Sequence, residues 1–149
     1  MWYGHAVLKS DYQGQDCSIA RTLEIVGERW TLLIVRDAFR GIRRFDDLQE
    51  SLGISRNVLA ERLARLVDEG VLERVRYQER PERFEYVLTA KGRELRVALA
   101  ALRQWGDNHG GHRPTTRLQA TADKRSVVAA LIHEGDPHIA PEDVESVPV

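Results

Sequence analysis

A mostly α-helical fold with one small antiparallel β-hairpin, an α+β arrangement, is predicted by three features of this 149-residue sequence. Apolar residues recur three and four apart through most of residues 18–108, the spacing of helices that bury one face. Between residues 71 and 89 that spacing gives way to alternation, the signature of strands. Two helical patterns also meet across Gly53-Ile54-Ser55, a link short enough for a helix-turn-helix.

In chain order, residues 1–17 show no firm periodicity and read as an N-terminal arm, ordered only against a partner. A helix starts at Ser18, with Ile19, Leu23 and Val26 on one face and Gly27 at its end. A second runs from about Trp30 to Phe39; it is apolar nearly all round and is expected at the buried centre. Phe45, Leu48 and Leu52 define a third, stopped by Gly53. The fourth spans Ser55 to Glu69, with Leu59, Leu63 and Leu66 on its apolar face and Asn57, Ala60, Glu61 and Ala64 opposite. Ser55 suits the cap that satisfies free N–H groups of the first turn, and Gly70 suits the positive φ that follows a helix. Two strands, Val71 to Gln78 and Phe84 to Thr89, flank a charged turn over 79–83 that contains Pro81; this hairpin is a wing. Thr89 caps a last helix to about Asn108, with Leu95, Leu99, Leu102 and Trp105 down one side, broken by Gly106, Gly110 and Gly111. Val97, Ala98, Ala100 and Ala101 widen its apolar surface beyond the needs of one small core. From His112 prolines punctuate the chain around a single apolar run, Val127 to Ile132. The expected organisation is an arm at 1–17, a winged helix-turn-helix and dimerisation domain at 18–110, and a C-terminal extension at 111–149 folded as a short hairpin.

Composition narrows the function. With 42% apolar and 30% charged residues, no apolar run of membrane-spanning length and no signal peptide, the expected location is cytoplasmic, with no membrane partner. The single cysteine, Cys17, excludes an intrachain disulfide and a cysteine-rich zinc site within one chain. His109 and His112, and His133 and His138, lack the spacing of a zinc motif, so no metal is expected. There is no glycine-rich nucleotide fingerprint, and Glu24 and Glu28, one helical turn apart, resemble many surface pairs; neither an enzyme nor a cofactor is expected. Net charge is −1, yet residues 36–96 hold 14 Lys/Arg against 12 Asp/Glu, while residues 112–149 hold 4 against 6. The excess is modest, because phosphate binding depends on where the arginines point.

Four segments, in order, resemble one family. They are Cys17-Ser-Ile-Ala-Arg-Thr-Leu-Glu-Ile-Val-Gly-Glu-Arg-Trp-Thr-Leu-Leu-Ile-Val-Arg-Asp37, Arg43-Arg-Phe-Asp-Asp-Leu48, Gly53-Ile-Ser-Arg-Asn-Val-Leu59 and Tyr86-Val-Leu-Thr-Ala-Lys-Gly92. Together they resemble HxlR-type transcriptional regulators, a winged-helix branch related to the MarR regulators, over roughly Cys17 to His109. The resemblance implies a homodimer built by the first and last long helices, and double-stranded DNA bound by the helix-turn-helix and wing. Ser18 stands where the family often has proline, and either residue starts a helix well. The cysteine pairs of some members' extensions are absent here.

The candidate residues follow from the fourth helix and the wing. Ser55, Arg56 and Asn57, at the start of a helix that enters a major groove, can reach base edges or phosphates, and asparagine can pair bidentately with adenine. Arg65 and Arg44 are phosphate candidates; Gln78, Arg80 and Arg83 could reach the backbone or the minor groove. Against each stands the plainer reading of a solvated charged face. Ile19, Leu23, Leu95, Leu99, Leu102 and Trp105 are the expected dimer contacts. Cys17 precedes a helix N-terminus whose dipole favours a thiolate, with Arg21 one turn on; it reads either as an oxidant or electrophile sensor, as in some HxlR-type regulators, or as a small apolar residue at the dimer edge. Trp30, Trp105 and Phe39 read as core or as the lining of a small-molecule effector pocket between the dimer helices. The functional expectation is a sequence-specific, dimeric repressor or dual regulator on a pseudo-palindromic operator, under redox or ligand control. The rival from another class is a winged-helix module that binds a partner protein instead of DNA.

Overall fold

The computed structural model describes residues 12, 14–15, 17–111, 113–114, 116–130 and 144–148, the last five as backbone only. Helices α1 (Ser18–Val26), α2 (Thr31–Phe39), α3 (Phe45–Leu52) and α4 (Arg56–Asp68) are followed by strands β1 (Leu72–Glu79) and β2 (Glu82–Leu88), then by the long helix α5 (Ala90–His109) and strands β3 (Thr116–Ala120) and β4 (Val144–Pro148). β1 and β2 pair antiparallel from Leu72–Leu88 to Glu79–Glu82, with an irregularity at Tyr77. An isolated bridge from Arg44 to Glu85, and the bond from Tyr86 N–H to the Arg43 carbonyl at 2.8 Å, tie the residues before α3 to the wing.

The core gathers where the apolar faces predict it. Leu59, Leu63 and Leu66 of α4 are fully buried against Ile34 and Val35 of α2, Leu48 and Leu52 of α3, and Val71, Leu72 and Leu88 of the hairpin. Each such side chain contributes roughly 1.5–3 kcal/mol by leaving water. Gly53 (φ 64°) turns α3 into α4, and Gly70 (φ 69°) turns α4 into β1, both in the left-handed region that costs glycine least.

Several expectations are corrected. The α2 helix is not buried all round: Ile34 and Val35 are, but Leu33 is exposed, because α5 covers only part of that side. On α1 the buried residues are Ala20 and Val26, and Ile19 points outward. The wing turn is narrower than 79–83, since both strands run on to leave only Arg80-Pro81 between them. Gly106 does not break α5; the helix continues through it to His109, within a surface that leaves its missing side chain unopposed. In the extension, the antiparallel pair joins strands distant in sequence, Thr116 opposite Pro148. Val127 to Ala130 of the apolar run form no strand beyond a bridge at Ser126, and Leu131 and Ile132 lie outside the described residues. Val127 N–H donates to the Leu118 carbonyl of β3 at 3.0 Å, and Ala129 N–H donates to Gln104 of α5 at 3.2 Å. Of the arm, Tyr12 N–H donates to the Glu24 carboxylate of α1, and the first eleven residues lie outside the described set.

Candidate nucleic-acid interface

The start of α4 is built from its own sequence. Ser55 Oγ accepts from Val58 N–H at 3.3 Å, closing the first turn. Leu59, Leu63 and Leu66 hold one face down, so Asn57, Ala60, Glu61, Ala64 and Arg65 are left on the open one. Small alanines and a short asparagine make this face slim, which is what close approach to a groove requires.

Arg56 does not extend freely. Its guanidinium pairs with Asp46 at 2.8 Å, donates to Gln49 at 3.0 Å and stacks over the Phe45 ring at 4.7 Å. The first turn of α3 thus holds it beside Ser55 and Asn57, bringing the three together. Arg44 lies at the base of the wing, 4.5 Å over the Tyr77 ring and 3.5 Å from Glu85. Gln78 donates to the Arg80 carbonyl at 3.2 Å, bracing the wing tip. Arg80 and Arg83 are exposed there and make no ion pair among the described residues. Arg65 is set apart from the helix start: it donates to the Glu24 carbonyl of α1 at 3.0 Å and pairs with Glu69 at 3.5 Å.

Two supporting features were missed in the sequence. Arg62, not singled out in the sequence, reaches the α1–α2 link, pairing with Glu28 and donating to the Arg29 carbonyl at 3.4 Å. Asp37 is wholly buried and gathers Arg36 at 2.8 Å, Arg40 at 3.5 Å and the Ser51 hydroxyl at 2.6 Å, fixing α3 against α2. The only sequence signal was an acidic residue, next to Arg36, in the largely apolar α2.

The stripe on α5 divides. Leu95 and Leu99 pack on the chain's own core. Val97 (58% exposed), Leu102 (55%) and Trp105 (67%) form an outward apolar face with Ala98 and Ala101. On α1, Ile19 is exposed and Leu23 half-buried. Cys17 caps α1, its exposed Sγ accepting from Ala20 N–H at 3.3 Å. A cavity of about 590 Å³ lies between α2, α5 and β3; Phe39 lines it, but Trp30 and Trp105 do not. Trp30 is instead the residue before α2, in the left-handed region at φ 79°, and Trp105 lies 5.0 Å from the His109 ring. His112, His133 and His138 lie outside the described residues. No helix among the described residues is long and apolar enough to cross a membrane.

Two helices joined by a tight turn, the second capped and open on one face, followed at once by a hairpin, define the winged helix-turn-helix class. Residues 25–114 match the HxlR-like helix-turn-helix family, and the chain belongs to it. The HTH-type transcriptional regulator Rv3095 of Mycobacterium tuberculosis is 51% identical over 102 residues, which is 68% of this chain and 63% of that protein. The match therefore spans a little under two thirds of that relative's length. Among solved structures, PA1607, described as a candidate transcription factor, superposes with a TM-score of 0.72 at 40% identity, covering 87% of this chain and 93% of its own. The reduced form of the transcriptional regulator YodB from B. subtilis gives 0.55 at 31% identity, covering 64% and 95%; its diamide-treated and quinone-bound forms give 0.53 and 0.54. The family is one of transcriptional regulators, not enzymes.

Proposed function

We propose that this chain regulates transcription by binding double-stranded DNA as a homodimer on a pseudo-palindromic operator, as a repressor or dual regulator. The observation that carries the reading is the slim, capped, open face at the start of α4, with two ion-pair-free arginines at the tip of the adjoining wing. In this reading residues 18–110 are the working unit, preceded by an arm and followed by an extension. Ser55, Arg56 and Asn57 address base edges and phosphates, with Arg56 exchanging Asp46 for a phosphate oxygen. Arg44 and Arg65 serve the backbone, and Gln78, Arg80 and Arg83 serve the flanking backbone or minor groove. The outward face of α5, with Ile19 and Leu23 of α1, supports a dimer in which the two α4 helices lie one helical turn, about 34 Å, apart. Leu95 and Leu99 contribute by fixing α5 beneath that face.

A mobility-shift titration against the DNA upstream of the protein's own gene tests the reading. The expected complex weakens steeply with salt, by roughly a thousandfold or more between about 50 and 200 mM, as phosphate contacts release counterions. Duplex left unbound at low salt would transfer the reading to a protein-binding module.

Control by oxidation is supported by the exposed Sγ of Cys17 beside the proposed dimer helices, and by the likeness to YodB, which is known in a diamide-treated form. Two Cys17 thiols from two subunits would lose two protons and two electrons to diamide and form one disulfide. Diamide should then abolish the shift in the wild type and spare Cys17→Ser; equal behaviour of the two retires this control.

A further inference from the structure

The cavity between α2, α5 and β3 is walled by leucines of α2 and α5 with Phe39 and Leu118, and its charge is positive. Four arginines line it, Arg36, Arg40, Arg96 and Arg103, against one carboxylate, Asp107. Three of the four already have acids. Arg36 and Arg40 share Asp37, and Arg103 pairs with Asp107 at 3.3 Å. Arg96 has none among the described residues. Its guanidinium lies 4.0 Å over the Phe39 ring, and its buried Nε has no hydrogen-bond acceptor. Burial also pushes its pKa below the ordinary arginine value. A half-buried cation with no acid beside it among the described residues favours an anion at its side.

We infer that this cavity is an effector site for a small apolar carboxylate, with its hydrocarbon body against the leucines and Phe39 and its carboxylate on Arg96. A neutral apolar molecule would leave the guanidinium unpaired, and an inorganic anion would leave the apolar walls wet; the lining asks for both properties in one molecule. The inference deepens the ligand-control side of the regulatory reading and rests on it for the effect on DNA. Arg96 and Phe39 also line a second cavity of about 250 Å³ against Tyr86 and Val87 of β2 and against Arg43. They form the partition between the two spaces. An anion that draws the guanidinium toward α2 and β3 withdraws it from the junction where Tyr86 N–H bonds the Arg43 carbonyl and the wing joins the body.

Isothermal titration of the full chain with 2-naphthoate, and with its neutral isostere 2-naphthamide, tests the site without DNA. The acid is expected to bind roughly tenfold or more tightly than the amide, the difference a charged hydrogen bond makes. Arg96→Gln should erase the preference, and Arg96→Lys should keep most of it. Equal affinities in the wild type, or a preference that survives Arg96→Gln, overturn the inference. No binding of either probe to the folded chain overturns it as well. Should Arg96→Gln fail to fold, the wild-type comparison of acid with amide decides alone. DNA binding measured without probe is independent of every arm, so failure of the effector site and failure of the regulator reading are told apart.

Discussion

At the scale of single residues, the candidate interface is set by charges that are already engaged. Arg56 is held by Asp46, Gln49 and the Phe45 ring, so in the proposed complex it would meet DNA preoriented and give up an acid to do so. Arg56→Ala is expected to weaken specific binding by about 1–3 kcal/mol, read by mobility shift, while sedimentation shows an unchanged oligomer. Unchanged affinity at moderate salt would remove Arg56 from the interface. Asp37 contributes through position instead. Its buried carboxylate accepts from two arginines and a serine across α2 and α3, and Asp37→Ala is expected to cost about 2–3 kcal/mol in urea denaturation. A loss below about 0.5 kcal/mol, the range of surface substitutions, would show that the bonds are replaced by water.

At the scale of elements, one junction links α5 to α4. Thr89 Oγ1 donates to the Gly70 carbonyl at 2.6 Å while accepting from Gly92 N–H at 3.0 Å, and Lys91 reaches the Glu69 carbonyl at 2.6 Å. The C-terminus of α4 and the N-terminus of α5 therefore move together. A Cβ on Gly92 would lie 2.1 Å from the Val71 carbonyl oxygen. Gly92→Ala is thus expected to destabilise by about 2 kcal/mol in thermal or urea unfolding, despite alanine's higher helix propensity. The wing tip, residues 79–83, is exposed and lies outside the core. Removing Arg80 and Arg83 together should leave stability unchanged and flatten the salt dependence of DNA binding by about 0.9 in log–log slope for each phosphate no longer neutralised. A slope identical to wild type would place the wing tip off the DNA.

At the scale of the whole molecule, the outward face of α5 is an apolar surface left uncovered among the described residues. Val97, Leu102 and Trp105 are more than half exposed on one helix. Trp105→Glu should shift sedimentation from dimer to monomer and remove operator binding with it, since a lone α4 reads only a half-site. A variant that stays dimeric would move the interface elsewhere. With α5 coupled to α4 through the Thr89 junction, a change in the angle between subunits of the proposed dimer would reach both α4 helices at once.

The sequence by itself determined the order of elements, the helix caps at Ser55 and Thr89, the positive-φ turns at Gly53 and Gly70, and the buried face of α4, because each depends on neighbours within a few residues or on one periodicity. It also carried the open face of α4, since a helix with three leucines on one side has only one other side to offer. Tertiary structure alone decided which way ambiguous residues turned. Leu95 and Leu99 pack on the core while Leu102 and Trp105 are more than half exposed, although all four share one helical stripe. Arg62 and Arg65 look alike to Arg56 in sequence, yet they reach the Arg29 and Glu24 carbonyls of the α1–α2 link and of α1. The same holds for Asp37, the pairing of Thr116 with Pro148, and the unpaired Arg96. Each is settled by groups distant in the chain, whose meeting depends on how the helices pack and not on any local pattern.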